Sequence, residues 1–406
     1  MEVRFTCSLF VLLFAWCVLV SNKSYGQFRY SKTSAIEIVR SPETDDSLKN
    51  DKKDSSGFKQ KLTRINAVME DVVKYSPLPI ISYSTETDWM FGLTKYNGFR
   101  LGSKGVNDTT IQPSHVTALA YLTLNHQYKI GTEVDLMFKH NKYKSHSEVY
   151  YLNFPQFYYG TGNETKLADE RLVLAENLTI STGFEYNFTS SLYVGLYYHF
   201  NNYYTVDYDD TLLVDYQPDL TVNEGLQSGI GLNFARETRD NRFNASKGSY
   251  LFVKYMNYGK WIGSDFNYNL FIIDYRKYVK LFRFLTVAGQ IYTESRTGDV
   301  PVQSLALMGG DNRMRGIYIG RYRDHTLIDG QVELRFPIAW IFGGTVFGGL
   351  GEVSPDYGSY TWNGIHWSGG AGIRLMVDSR HKTNLRFDVG FSQNRQLYFF
   401  TFSEAF

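Results

Sequence analysis

Apolar and polar residues alternate along most of the chain, from about residue 80 to its end. In YKIGTEVDLMFKH, residues 128–140, every second position is apolar or threonine, and charged residues occupy most positions between them. The same period of two recurs in TLIDGQVELRFP, residues 326–337, and in NLRFDVGF, residues 384–391. Because successive side chains of a strand point to opposite faces, each segment predicts a strand with one apolar and one charged face.

Sixteen such strands are predicted, with no convincing amphipathic helix between them. An even number of antiparallel strands closes into a barrel and leaves both termini on the same side. Alternation alone also fits a secreted β-sandwich or propeller, although no repeat of blade length is visible. The predicted strands span residues 78–84, 88–101, 114–126, 128–140, 146–154, 171–188, 191–205, 225–238, 248–258, 264–279, 283–296, 325–336, 342–352, 364–378, 383–393 and 395–406.

The aromatic residues favour a membrane barrel. The chain has 32 tyrosines and 29 phenylalanines, which cluster at predicted strand ends such as YYLNFPQFYYG and LYYHFNNYY. Transmembrane barrels carry aromatic girdles at both membrane interfaces, and the last strand here, QLYFFTFSEAF, also ends on an aromatic residue. We therefore predict an all-β protein, a 16-stranded antiparallel transmembrane β-barrel.

The N-terminus predicts export. Arg4 precedes an apolar run over residues 9–20 and a small-x-small site at residues 24–26, so residues 1–26 are predicted to be a signal peptide. A lipoprotein would use Cys17, but the bulky Trp16 before it disfavours that alternative. Residues 27–76 are polar, with one short amphipathic helix from Phe58, and residues 77–406 form the predicted barrel. The predicted location is the bacterial outer membrane.

Charge and motifs exclude several function classes. The net charge of +1 gives no basic field for nucleic acid. Both cysteines, Cys7 and Cys17, lie in the predicted signal peptide, which leaves no thiolate for catalysis or zinc. His146 lies beside a lysine-rich turn, and no histidine has a supporting catalytic motif. We predict no catalytic residue, no cofactor and no metal, and hence not an enzyme.

One stretch gathers arginines around glycines: GGDNRMRGIYIGRYRD, residues 309–324. It falls between the eleventh and twelfth predicted strands, in the sixth outer loop. Two interpretations are open. The arginines could lie on a solvated loop that binds lipopolysaccharide phosphates, or the loop could fold into the lumen, where a buried arginine needs a carboxylate.

Four stretches carry family-like motifs, and together they cover residues 77–406. They are the sixth-loop stretch itself, the turn ETRDNRFNASKGSYL at residues 237–251, the first strands in PLPIISYSTETDWMFG at residues 77–92, and the last hairpin from RFDVGF to the C-terminus. Through them the chain resembles a known superfamily, the BamA/TamA-type outer-membrane assembly factors, also called bacterial surface antigen barrels.

The resemblance implies that the sixth outer loop folds into the lumen and anchors there through an arginine. The predicted latch comprises Gly309, Gly310, Arg315, Gly316 and Tyr318. Its predicted partners on the barrel wall are Glu333, Asp329 and Asp388. The family's usual acid has its counterpart at Gly349, so Glu333 is the preferred partner of Arg315. The resemblance also implies a C-terminal signal for barrel assembly, formed by Tyr398, Phe400, Phe402 and Phe406.

The implied role is to assist insertion or translocation of outer-membrane proteins. Relatives carry POTRA modules before the barrel, and residues 27–76 are too short for one. The alternative is therefore a passive pore or structural barrel without insertase activity. Expected partners are outer-membrane lipids including lipopolysaccharide, a POTRA-bearing or periplasmic chaperone subunit, and unfolded outer-membrane clients.

Overall fold

The structure is a computed structural model of the 406-residue chain. The predicted signal peptide and almost all of the predicted polar segment, including its helix, lie outside the described residues. The structure describes residues 76–84, 88–99, 101, 114–124, 127–139, 141–189, 191–208, 224–339, 341–378, 382–393 and 395–406.

The described part of the chain is built almost entirely of strands. Short 3-10 helices occur at Leu167–Asp169, Lys260–Ile262, Val302–Ser304 and Trp362–Gly364. No helix within the described residues is long and apolar enough to cross a membrane. The strands are β1 Leu78–Ser84, β2 Asp88–Phe99, β3 Ser114–Thr123, β4 Tyr128–Phe138, β5 Tyr143–Tyr158, β6 Arg171–Thr189, β7 Leu192–Tyr208, β8 Gly225–Glu237, β9 Gly248–Tyr258, β10 Tyr268–Phe282, β11 Leu285–Gly298, β12 Ala306–Met308, β13 Tyr322–Asp324, β14 Thr326–Ala339, β15 Phe342–Ser354, β16 His366–Asp378, β17 Thr383–Ser392 and β18 Gln396–Phe402.

Sixteen of these strands form one antiparallel sheet, and we call them the wall strands. Each wall strand pairs with the next one along the chain. This confirms the predicted sixteen strands and their order. The other two, β12 and β13, pair only with each other and form a hairpin between β11 and β14. The twelfth predicted strand is therefore β14, and the fifteenth is β17. In the part of the chain that the structure describes, no backbone ladder joins β1 to β18.

The two faces of the sheet have the opposite polarity from those of a soluble protein. On β14, Ile328 and Val332 are 42% and 52% exposed, whereas Asp329 and Glu333 are 2% and 0% exposed. Alternating strand positions place the apolar side chains outside and the charged ones inside. A sheet with a charged interior and an apolar exterior is suited to lipid, as in outer-membrane barrels.

The last strand is shorter than predicted. It was expected to span residues 395–406, but β18 ends at Phe402. Ser403 has a backbone φ of 70°, in the left-handed region that ends regular strand geometry. The C-terminal tail, residues 403–406, turns away from the strand direction, and its last three residues are buried.

Candidate functional site

Loop six, residues 299–325, connects β11 to β14 and lies against the inner face of the sheet. Met314 and Arg315 at its tip are both 0% exposed. The tip packs with residues of the β12–β13 hairpin and with inward side chains of β14 and β15. This apolar cluster comprises Ala306, Met308, Met314, Ile317, Tyr322, Leu327 and Val353. The buried tip is therefore part of the barrel interior.

Arg315 contacts carboxylates from two wall strands. Its guanidinium donates to Glu333 on β14, and to Asp388 Oδ2 on β17 at 2.6 Å. The centroid of the Phe347 ring on β15 lies 3.6 Å from the guanidinium carbon. A planar guanidinium can bind carboxylates along its edges while it stacks on an aromatic face. The structure thus brings Arg315 to Glu333, the preferred partner, and also to Asp388.

The third predicted partner, Asp329, pairs with a different arginine of the loop. Arg313 donates to Asp329 Oδ2 at 2.6 Å, and its guanidinium carbon lies 3.5 Å from the centroid of the Tyr292 ring. Burial acts to lower the pKa of Arg313, but the charges of Asp329, Glu294 and Asp274 act together with Tyr292 against it, and the pKa is raised. The loop tip is therefore held by two arginines, with separate carboxylates on β14.

Arg315 belongs to a closed ring of six buried charges, which we call the charge ring. From Glu333 the ring runs to Arg335 at 2.7 Å, and Arg335 Nε lies 3.9 Å from Glu404. Glu404 accepts from Arg374 at 2.7 Å, and Arg374 donates to Asp388 at 2.5 Å. Three arginines alternate with three carboxylates, so each charge lies between two opposite ones. Such pairing offsets the large cost of burying ions.

The C-terminal tail closes the charge ring. Glu404 accepts from Arg374 and from the amide nitrogen of Asn384 at 2.6 Å. The backbone oxygen of Phe406 accepts from Arg335 at 2.9 Å, and its ring packs beside Tyr278. The last residues of the chain and the tip of loop six are therefore parts of one electrostatic network.

The turn between β8 and β9 packs against the tail. The carbonyl of Phe243 accepts from the Ser403 hydroxyl at 3.2 Å, and the carbonyl of Ala245 accepts from Arg335 at 3.4 Å. The turn is shaped by Asp240, which accepts from both the backbone and the hydroxyl of Ser246. Partial burial acts to raise the pKa of Asp240, but hydrogen bonds from Ser246 and Lys247 and the charge of Lys382 together oppose it, and the pKa is lowered.

Glycines allow the loop backbone to approach the wall closely. A Cβ added at Gly390 on β17 would lie 2.6 Å from the carbonyl carbon of Arg315 and from the nitrogen of Gly316. A Cβ at Gly349 on β15 would lie 2.9 Å from Met314 Sδ. At the position where relatives were expected to carry an acid, this chain thus has a glycine that makes room for Met314.

Substitution of Gly390 with alanine is expected to displace the loop tip from the wall. Its methyl group would overlap backbone atoms of Arg315 and Gly316, which cannot move aside as a flexible side chain would. Overpacking of this kind costs about 1–3 kcal/mol. Urea unfolding in detergent, followed by tryptophan fluorescence, measures the effect.

Gly369→Ala is the matched control for Gly390→Ala. Gly369 lies on the neighbouring strand β16, and an added Cβ there would be 3.5 Å from its nearest neighbour, the carbonyl oxygen of Phe347. We expect Gly369→Ala to unfold at nearly the wild-type urea concentration. Equal midpoints for the two alanine variants would contradict the close packing of loop six on β17.

Gly309, Gly310 and Tyr318, the other predicted latch residues, flank the tip of loop six along the chain. Gly309 and Gly310, with φ of 103° and 117°, turn the chain into the tip. The ring of Tyr318 packs edge-on against Phe157, 5.7 Å between centroids, and its hydroxyl accepts from the Phe157 backbone at 3.3 Å. Tyr318 therefore joins loop six to the end of β5.

The four predicted C-terminal signal residues do not share one environment. Tyr398 and Phe400 are 65% and 66% exposed on the outer face of β18. The side chain of Phe402 lies outside the described residues. Phe406, in contrast, is 5% exposed in a cluster with Ala245, Tyr278, Ala288 and Ala405.

Three members of the charge ring were missed by the sequence reasoning. Arg335 follows Glu333 by two positions on the same strand face, so the alternation contained a signal for it. Arg374 is flanked in sequence mostly by glycine and apolar residues, so no alternating charge pattern marks it. Glu404 was predicted to lie at the end of the last strand. Their convergence depends on the turn at Ser403, which no local pattern predicts.

The sequence model of one protein family matches most of the chain. It is described as the Omp85 superfamily domain and covers residues 121–403. No curated protein matches the chain.

Two solved structures share the fold. The crystal structure of BamA from Haemophilus ducreyi lacking POTRA domains 1–3 has a TM-score of 0.51 and 11% identity, and the match covers 85% of this chain and 78% of that one. CdiB from Escherichia coli has a TM-score of 0.55 and 10% identity, with 81% and 61% covered. The chain thus spans less than two thirds of the CdiB chain. Identities this low concern the fold alone.

Proposed function

The chain belongs to the Omp85 superfamily, and from this premise we propose that it assists the insertion or translocation of other proteins at the bacterial outer membrane. Family membership and the fold shared with BamA and CdiB support this role at the level of the family. We further propose that the clients of this activity are unfolded outer-membrane proteins.

The observation that carries the proposal is the pair of sheet edges. β1 and β18 are each 7 residues long, among the shortest wall strands, and no ladder joins them within the described residues. An edge strand presents unpaired N–H and C=O groups, which lipid cannot satisfy. The edges must therefore pair with each other or with an added strand. Exchange between these two pairings would let a client strand join the sheet.

Loop six and the charge ring supply the rigid part of this mechanism. They join β14, β16 and β17 to the tail that follows β18. The C-terminal edge of the sheet is therefore fixed to the inner wall through this tail. We infer that β18 is the edge that stays fixed when a client is accepted.

A disulfide across the two edges is expected to abolish insertion activity. Cysteine pairs are scanned between β1 and β18, and the pair that oxidises in the resting protein is kept. Insertion of an unfolded eight-stranded barrel protein into liposomes is then measured. Oxidation should stop insertion, and reduction should restore it, because the edges must separate before a client strand can pair.

The matched control is a disulfide between two strands that need not separate. Ala371 on β16 and Val389 on β17 are register partners, so cysteines there join a continuous ladder. The control should insert the client in both redox states. Normal insertion by the oxidised edge pair would contradict the proposal, as would failure of every edge pair to oxidise. Ion conductance in planar bilayers without any insertion by the reduced protein would support a passive pore.

We also propose a POTRA-bearing or periplasmic chaperone partner and contacts with lipopolysaccharide. Isolation of the tagged barrel from outer membranes, with a tagged unrelated barrel as control, tests the first. A specific chaperone or POTRA protein enriched in the former alone would support it.

A further inference from the structure

We propose that the inner wall at β3, β4 and β5 binds a divalent transition-metal ion, of which Zn²⁺ is the best suited. The ligands are His115 on β3 and the carboxylates of Glu133 and Asp135 on β4. One atom from each of these three residues lies within 4.8 Å of one atom from each of the others. None of the three takes part in loop six or in the charge ring.

The register of the sheet brings these groups together in two adjacent rows. His115, Asp135 and His146 are direct partners across β3, β4 and β5, and they form the first row. In the second row, Glu133 lies between Thr117 and Glu148. Residues two positions apart on a strand share one face, so both rows face the interior.

Distances in the first row match the edges of a metal site. His115 Nε2 lies 3.2 Å from Asp135 Oδ2. Zinc binds histidine nitrogen and carboxylate oxygen at about 2.0–2.2 Å, so two ligand atoms at a tetrahedral ion are roughly 3.3 Å apart. Two carboxylates would balance the charge of the ion, and water in the lumen would complete its coordination.

His146 holds the Asp135 carboxylate from the other side. Its Nδ1 lies 3.0 Å from Asp135 Oδ1, so each oxygen of Asp135 faces a different histidine. A carboxylate–histidine contact outside the coordination sphere orients a ligand and tunes its basicity. We assign His146 as a positioning residue and not as a ligand.

The second row shows why the site suits a cation. Glu133 and Glu148 are directly opposite each other, and like charges at such positions destabilise a sheet. Lys129 and Lys254 both interact electrostatically with Glu148, whereas the residue opposite Glu133 on β3 is the uncharged Thr117. A cation bound to Glu133 would further lower the repulsion between the two glutamates.

Zinc titration of the full-length protein tests the proposal. The protein carries no polyhistidine tag, is stripped with a chelator in detergent at pH 7.5, and is titrated with ZnCl₂ by calorimetry. We expect one equivalent to bind and to raise the unfolding temperature, since a ligand that binds only the folded state stabilises it. His115→Ala should abolish this binding, and His146→Ala should weaken it by about 10-fold to 100-fold.

His199→Ala is the matched control, because His199 also lies on a strand and contacts a tyrosine hydroxyl, Tyr258 Oη, at 3.1 Å instead of a carboxylate. It should bind zinc as the wild type does. X-ray absorption of the zinc-loaded wild type should show a nitrogen and oxygen shell with one imidazole, which decides the case even if His115→Ala fails to fold. No stoichiometric binding by the wild type, or equal affinity in His115→Ala, would overturn the proposal.

Discussion

Replacement of Arg315 with alanine is expected to lower the stability of the barrel more than any other single substitution in loop six or in the charge ring. The substitution removes one arginine from Glu333 and one from Asp388, both 0% exposed, and leaves the charge ring with three carboxylates and two arginines. Removal of one member of a buried ion pair costs about 3–5 kcal/mol. The total stability of a folded domain is about 5–15 kcal/mol. The folded fraction, measured by heat-modifiable migration on gels, should therefore fall sharply.

Two further variants make this result specific. Arg283 lies exposed in the turn between β10 and β11, so Arg283→Ala removes a positive charge without any buried contact. It should migrate and unfold as the wild type does. Arg315→Lys keeps the charge but loses the planar fork, and it should be intermediate. If Arg315→Ala and Arg283→Ala unfold at the same urea concentration, the buried contacts of Arg315 contribute nothing.

Replacement of Glu404 with alanine is expected to give the second largest loss. Arg374 and Asn384 both donate to Glu404, and the side chain of Arg374 is only 5% exposed. Each hydrogen bond to a charged group contributes about 1.5–3 kcal/mol. Urea unfolding should therefore begin at lower concentration, and the tail should become accessible to carboxypeptidase in the folded barrel.

The control for Glu404→Ala is Glu164→Ala, since Glu164 is exposed in the connection between β5 and β6. That variant should keep both its unfolding midpoint and its resistance to carboxypeptidase. Carboxypeptidase removal of the tail at equal rates from wild-type and Glu404→Ala protein would mean that the tail is not held inside.

The strands were predictable because each one is marked by the alternation of apolar and polar residues within its own segment of sequence. Alternation of apolar and polar positions extends over each of β4, β14 and β17, and the structure has all three with the predicted faces. Outward apolar and inward charged residues are set by the pleat of each strand, so a reader of the sequence needs no tertiary information to find them.

The partners of Arg315 were only partly predictable. Alternation places Glu333 and Asp388 on inner faces, but it does not say how deep loop six reaches. That depth depends on the absence of side chains at Gly349 and Gly390, which lie far from the loop in sequence. The acid expected at residue 349 would occupy the space that Met314 fills.

The tail was mispredicted because aromatic residues continue to its end. Residues 395–406 were expected to form one strand, yet Ser403 turns the chain and Glu404 binds Arg374. The ion pair between Arg374 and Glu404 forms only in the folded barrel. It is a tertiary contact that overrides the local preference of these residues for a strand. The cluster at His115 was missed for a related reason, since its members lie on two strands and meet only through the register of the sheet.

The central claim is that the tip of loop six is buried against the inner wall, and thiol labelling tests it most directly. Cys7 and Cys17 are replaced by alanine, and a single cysteine is placed at Met314, which is 0% exposed, or at Ile319, which is 49% exposed. In the folded barrel, a maleimide should label position 319 rapidly and position 314 slowly. Addition of Arg315→Ala should make position 314 react rapidly as well. Equal labelling of both positions in the folded barrel with Arg315 intact would contradict the account.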